Sequence, residues 1–164
     1  MFLYRCNSPV LYLPMKDRYI RALAERYHIA LIYLFGSQAD KGRGYLEGEE
    51  VMPEAFSDLD IAIAFEKPPA EAIKIYGILY KEFSEIFGLF NIDLIFMYEM
   101  NTLFQYEIIK GVRVYEKDES YADDFEERIM KRAEDVSFKK RILDDEILEA
   151  IENGYFEFEY SPNP

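Results

Sequence analysis

The apolar positions of this chain change period several times, and each change marks an element. Met15, Tyr19, Leu23 and Tyr27 recur every fourth residue behind Pro14, which predicts an amphipathic first helix. Ile29–Phe35 is apolar throughout, is too short for a helix and ends at Gly36, so it reads as a strand. Residues 38–57 hold three glycines, Pro53 and several charges without a long periodic run; a helix can open after Gly36-Ser37, and the remainder reads as a mobile loop. Ser57–Phe65 then alternates, with Leu59, Ile61, Ile63 and Phe65 on one face and Asp58, Asp60, Ala62 and Ala64 on the other.

After Pro68-Pro69 the period returns to that of a helix. Ala72, Ile75, Tyr76, Leu79, Phe83 and Ile86 mark it, and Gly88 stops it. Asn91–Met97 reads as a third strand, Thr102–Lys110 as a short helix ending at Gly111, and Val112–Tyr115 as a fourth strand. From Ser120 to Asn153 apolar residues recur at Tyr121, Phe125, Ile129, Val136, Leu143, Ile147 and Ile151, the pattern of one long helix or of two broken near Ser137. The tail from Tyr155 to Pro164 reads as loosely held. The sum is an α/β (α+β) chain, a mixed sheet packed by helices, in a single domain over 1–164. Its core is expected at about 15–115 and a C-terminal helical extension at about 119–153.

The positions that interrupt these patterns carry the candidate chemistry. Asp58 and Asp60 stand two apart on a strand and therefore face the same space. Like charges held side by side are costly unless protonated or neutralised by a cation. Asp93 is the single acid in the apolar strand around it, and if the two strands are neighbours three carboxylates converge. Such hard oxygen ligands suit Mg2+ or Mn2+, which take further ligands from water and substrate phosphates. Gly36 ends a strand and permits close approach of a ligand, and amides of a helix opening there, with the Ser37 hydroxyl, would cradle phosphate. An Asp-x-Asp arises easily by chance among 32 acidic residues, and Gly-Ser is a common turn. It is the ordered combination, on apolar strands, that points to a site.

Composition narrows the class of partner. Half the residues are hydrophobic, enough for a real core, and one cysteine, Cys6, excludes an internal disulfide and fits a reducing compartment. No apolar run approaches a membrane span and residues 1–10 lack the order of a signal peptide, so a soluble cytoplasmic protein is expected. The net charge of -13 disfavours a nucleic-acid partner, while a basic protein or a metal-bound nucleotide fits its sign. The one dense basic cluster, Lys139-Lys140-Arg141, is followed by Asp144-Asp145-Glu146 and reads as a helix face salt-bridged at i,i+4. His28, the only histidine, falls at the end of the first helix, where capping outweighs catalysis; Met97, Tyr98 and Met100 read as packing, and the 14 tyrosines single out none as a modification target.

Gly36-Ser37, the stretch Ser57-Asp58-Leu59-Asp60-Ile61-Ala62-Ile63 and the later Ile92-Asp93-Leu94 resemble the DNA polymerase β-type nucleotidyltransferase superfamily, and by size its minimal nucleotidyltransferase (MNT) branch. The resemblance covers roughly residues 15–115. It implies a polymerase β-like mixed-sheet fold, a divalent metal, and transfer of a nucleotidyl group, AMP from ATP, with release of pyrophosphate. It implies that Asp58 and Asp60 bind metal and that Asp93 joins them and helps deprotonate the acceptor. It also implies a partner, since many MNT proteins are antitoxins of HEPN toxins and some transfer AMP onto a toxin tyrosine. Two departures bear on activity. Asp40 stands where the family often has arginine, leaving Lys41 or Arg43 as substitutes, and the spacer from Ser37 to Asp58 is longer than usual, with Glu47, Glu49, Glu50 and Glu54 near the mouth. The enzyme reading has two rivals: an antitoxin that silences its partner by binding alone, and a small-molecule nucleotidyltransferase, for which the chain after Tyr115 is short.

Overall fold

A computed structural model describes residues 15–155; Cys6, Tyr4, Tyr12 and the tail beyond Tyr155 lie outside the described residues. The elements run α1 (Met15–Tyr27), β1 (Ile29–Phe35), α2 (Ala39–Glu47), β2 (Leu59–Phe65), α3 (Ala72–Ile86), β3 (Ile92–Phe96), α4 (Thr102–Ile109), β4 (Val112–Glu116) and α5 (Glu119–Glu152). A single 3-10 turn, Met97–Glu99, succeeds β3. The four strands form one mixed sheet in the order β3-β2-β1-β4, with β1 antiparallel to both β2 and β4, and β2 parallel to β3.

Alternation along β2 divides the core as its sequence requires. Leu59, Ile61, Ile63 and Phe65 join Ile32 and Leu34 under α1, α2 and α3. Ala62 and Ala64 face the other way with Leu31 and Tyr33, where α4 and α5 cover the sheet through Ile108, Ala122 and Ile129. Small side chains on β2 let this second helical layer lie close. α5 is fastened by a polar clip as well. The buried Tyr33 hydroxyl donates to Glu126 Oε1 at 2.7 Å, and Arg113 Nη1 donates to the same oxygen at 2.9 Å. Burial, then the Glu126 carboxylate, pushes the Tyr33 phenol far above its usual range, so it stays a donor.

α2 is the helix expected to open after Gly36-Ser37, whereas the residues after it, read as a mobile loop, are tied back: Glu49 N donates to Gly44 O at 2.9 Å and Lys41 pairs with Glu54 at 2.9 Å. Of the two readings of the C-terminal pattern the single helix holds: α5 runs unbroken through Ser137, because serine at an exposed helical position costs only about half a kcal/mol. The Lys139–Arg141 cluster does not pair along the helix. Among the described residues, none of Lys139, Lys140, Arg141, Asp144, Asp145 and Glu146 takes part in an ion pair. All six side chains are exposed, where such pairs gain little against their entropy. Among the described residues no helix is long and apolar enough to cross a membrane.

Candidate active site

The parallel register of β2 and β3 brings the acids together. Asp60 is the direct partner of Asp93, and Leu59 N donates to Asn91 O at 2.8 Å, which locks the starts of the two strands. Adjacent strands lie about 4.8 Å apart, so the two side chains rise next to each other on the α4/α5 face. Asp58, one residue before β2, is exposed on the same side, as is Asp93; Asp60 is half-buried between them. Burial, then Asp93, then Asp58 holds the Asp60 carboxyl above its usual range. Asp60 therefore feels both of the other predicted acids.

Gly36 closes the site from the β1 side. Phe35 pairs with Asp60, and Gly36 comes next in the left-handed region at φ +74°, where a side chain would be strained and a Cβ would run into the Asp60 carboxylate. Only glycine lets the turn approach so closely. Ser37 is exposed, and its Oγ lies 2.9 Å from Ser57 Oγ, one residue from Asp58. α2 begins at Ala39 without a side-chain cap on its first amides, which suits an anion there. The structure thus gathers Gly36, Ser37, Asp58, Asp60 and Asp93 at one end of the sheet.

Sequence reasoning does not find Gln38. It is the one fully buried polar residue among those described, and its amide oxygen accepts from Glu54 N at 2.8 Å while its nitrogen donates to Ser57 O. That one side chain pins the connection after α2 against the turn, and it fixes the approach of the chain to Asp58. A lone glutamine between a serine and an alanine gives no signal of this in sequence.

The cation side of a triphosphate site is thin. Asp40 is exposed; Lys41 is taken by Glu54, and Arg43 lies near Asp40 and Glu47 at 3.8 and 3.9 Å. Neither expected substitute points free charge at the turn. As they stand, the carboxylates do not close into a ready cage, and among the described residues no trio of His, Cys, Asp or Glu side chains does. The donor set nevertheless fits a hard divalent ion. Three carboxylates share one corner, the central one is pushed toward its protonated form, and two are exposed side chains whose rotamers a cation and a phosphate would set. A cavity of about 510 Å³ lies away from the acids, between α1, α2 and α3. The acidic corner is an open mouth, and its chemistry rather than its concavity marks it.

Comparison with known proteins gives the fold and the family. No curated protein matches the chain in sequence. Among solved structures, a chain of a toxin–antitoxin crystallised with AMP-PNP aligns at TM-score 0.59 and 15% identity, over 80% of this chain and 98% of that one. A chain from a tri-AMPylated Shewanella oneidensis HEPN toxin in complex with its MNT antitoxin aligns at TM-score 0.56 and 14% identity, over 81% and 96%. One from the MntA-HepT toxin–antitoxin aligns at TM-score 0.55 and 14% identity, over 81% and 97%. At such identities the likeness is one of fold. The profile of the polymerase beta nucleotidyltransferase family matches residues 18–120, more than half the chain and all of the site just described, and the protein belongs to that family.

Proposed function

We propose that the protein transfers a nucleotidyl group, AMP from ATP, to a hydroxyl on a partner protein, and that the partner is a HEPN-type toxin modified on tyrosine. The observation that carries the reading is the Asp60–Asp93 pair, with Asp58 beside it, facing the Gly36-Ser37 turn. Asp58, Asp60 and Asp93 would hold Mg2+ or Mn2+, which would supply charge for the leaving pyrophosphate and a more acidic acceptor hydroxyl. The Ser37 hydroxyl and the uncapped amides of α2 would position the phosphates. Asp93, on the edge strand and exposed, is placed to receive the acceptor proton, and Asp60, half-buried, to hold the geometry.

The family match ends at residue 120, and beyond it the described residues form one helix. Solved relatives that share the fold are toxin–antitoxin chains, one of them with an AMPylated toxin.

A second reading has its own support. Lys41 and Arg43, the two substitutes for the family's arginine, both lie on carboxylates, so the protein can silence its partner by binding alone. One experiment separates the two. The protein and the product of its neighbouring gene are mixed with ATP and Mg2+, and the partner is weighed intact. A gain of one or more AMP masses, absent with Asp58→Asn/Asp60→Asn, supports transfer. Full neutralisation with no mass gain, equally strong in the double variant, assigns the protein to masking, and no interaction at all returns the case to a small-molecule acceptor.

A further inference from the structure

The two halves of α5 carry the same pattern and meet different surroundings. Ile129 and Ala133 are 3% exposed against the sheet, and Ala133 is the last buried residue of the helix. Val136, Lys140, Leu143, Ile147 and Ala150 continue their line at alternating steps of three and four residues, the period of a helix made to lie along another helix. Yet Val136 is 39% exposed, Leu143 54% and Ile147 43%. This stretch, Glu134–Glu152, projects about 28 Å beyond the last buried residue at 1.5 Å per residue. An apolar stripe of that length left in water is an interaction surface.

The charges beside the stripe say what covers it. Lys139 and Glu146 are seven residues apart and so stand on the same edge of the stripe, and neither has an ion-pair partner among the described residues. A second copy of the helix laid antiparallel sets Lys139 against the partner's Glu146, and by symmetry Glu146 against the partner's Lys139. The same register places Val136 against the partner's Ile147, and the Lys140 stem beside the partner's Leu143 with its ammonium near the partner's Asp144. A parallel pair would instead stack Lys140 on its own copy. It would also drive the partner's packed half through this chain's sheet, because the bare stripe continues the face that lies on that sheet. The antiparallel pair keeps the two bodies at opposite ends.

We infer that the outer half of α5 is a self-complementary dimerisation arm, joining two copies of this chain antiparallel about a two-fold axis near Leu143. A two-fold interface needs one patch that complements itself, and this segment, basic before the axis and acidic after it, does so. The inference is independent of the catalytic reading, since the arm lies outside the acidic corner.

Sedimentation of the full protein over a concentration series tests it. The wild type should form a dimer that Leu143→Glu dissolves. Lys139→Glu alone and Glu146→Lys alone should each weaken self-association at least tenfold, since each opposes like charges twice. An equimolar mixture of those two variants should dimerise as well as the wild type or better, and the doubly exchanged Lys139→Glu/Glu146→Lys chain should recover. All three positions are exposed, so circular dichroism should show intact folds. A wild type that stays monomeric at about 100 μM would overturn the inference, as would a dimer indifferent to both single exchanges. Asp58→Asn/Asp60→Asn should leave the dimer unchanged, which separates this result from that of the transfer assay.

Discussion

β2 is flanked by acids at both ends, and the two ends treat them oppositely. At the C-terminal end Glu66 accepts from Lys117 Nζ at 2.6 Å, and this hydrogen bond holds its carboxyl below the usual range. At the other end Asp58 and Asp60 have no cation within ion-pairing distance among the described residues, and burial with two neighbouring carboxylates pushes Asp60 up. One strand thus carries a neutralised acid where only the fold is at stake, and uncompensated acids where a ligand is expected. Clustered like charge without a partner is unfavourable to folding, so its presence on a strand whose other residues are buried marks a candidate site. The contrast also separates two kinds of effect: substitution at the Asp60 end should hurt activity and spare the fold, and at the scaffold positions the reverse.

The largest expected effect is on transfer. Asp58→Asn/Asp60→Asn removes two of three anionic oxygen donors without changing size, and loss of several kcal/mol of charge stabilisation is a factor on the order of 10³ in rate. The initial rate of AMP incorporation into the partner, measured with Mg2+ present, checks this. An undiminished rate in the folded double variant would remove the corner from consideration as the active centre.

Next comes the scaffold of the same corner. Gln38→Ala removes a buried side chain and strips the partners from Glu54 N and Ser57 O at two part-buried hydrogen bonds, which costs about 1–3 kcal/mol. Urea unfolding should show that loss, and proteolysis should shift toward residues 48–57. This residue also shows where reading the sequence stops. The acids are legible because strand alternation places i and i+2 on one face, and an apolar strand makes each interruption conspicuous. The α3–β3 crossover and the core division along β2 come from the same arithmetic. The fastening of residues 48–58 is not legible, since it depends on one amide meeting two backbone groups 16 and 19 residues away, which no local period encodes. Nor is the unpaired state of Lys139–Arg141. Spacing permits i,i+4 pairs but exposure removes most of their gain, so pattern alone overstates them.

A smaller effect, of opposite sign, is expected from Asp60→Asn alone in metal-free protein. A carboxyl whose folded pKa is raised binds its proton more tightly folded than unfolded, so stability falls as pH climbs from the ordinary carboxylate range through the raised value. Above that raised value the wild type carries the loss and the asparagine variant does not. The variant should therefore melt slightly higher than metal-free wild type at pH 7 and show no advantage near pH 3. Mg2+ or Mn2+ should raise the melting temperature of the wild type and do little for Asp58→Asn/Asp60→Asn. A double variant that still responds fully would place the metal elsewhere.

Glu66→Gln at the opposite end should change least. The pair is a surface one, with Lys117 held above and Glu66 below their usual values by the same hydrogen bond. The glutamate's contribution is present above the ordinary carboxylate pKa and is lost as pH falls through its lowered one; the lysine's is present below its ordinary pKa and is lost as pH rises through its raised one. Between those limits the pair is worth little, because both groups are solvated and salt screens them. Thermal melts of Glu66→Gln at pH 7 should lie closer to wild type than those of Gln38→Ala, and the residual difference should shrink further in 1 M salt. AMP transfer by Glu66→Gln should be unaltered, since β2 separates Glu66 from Asp60 by about 20 Å at 3.3 Å per residue. A loss of transfer there comparable to that of Asp58→Asn/Asp60→Asn would mean that the two ends of β2 are not the separate functional and structural regions their opposite pKa shifts imply.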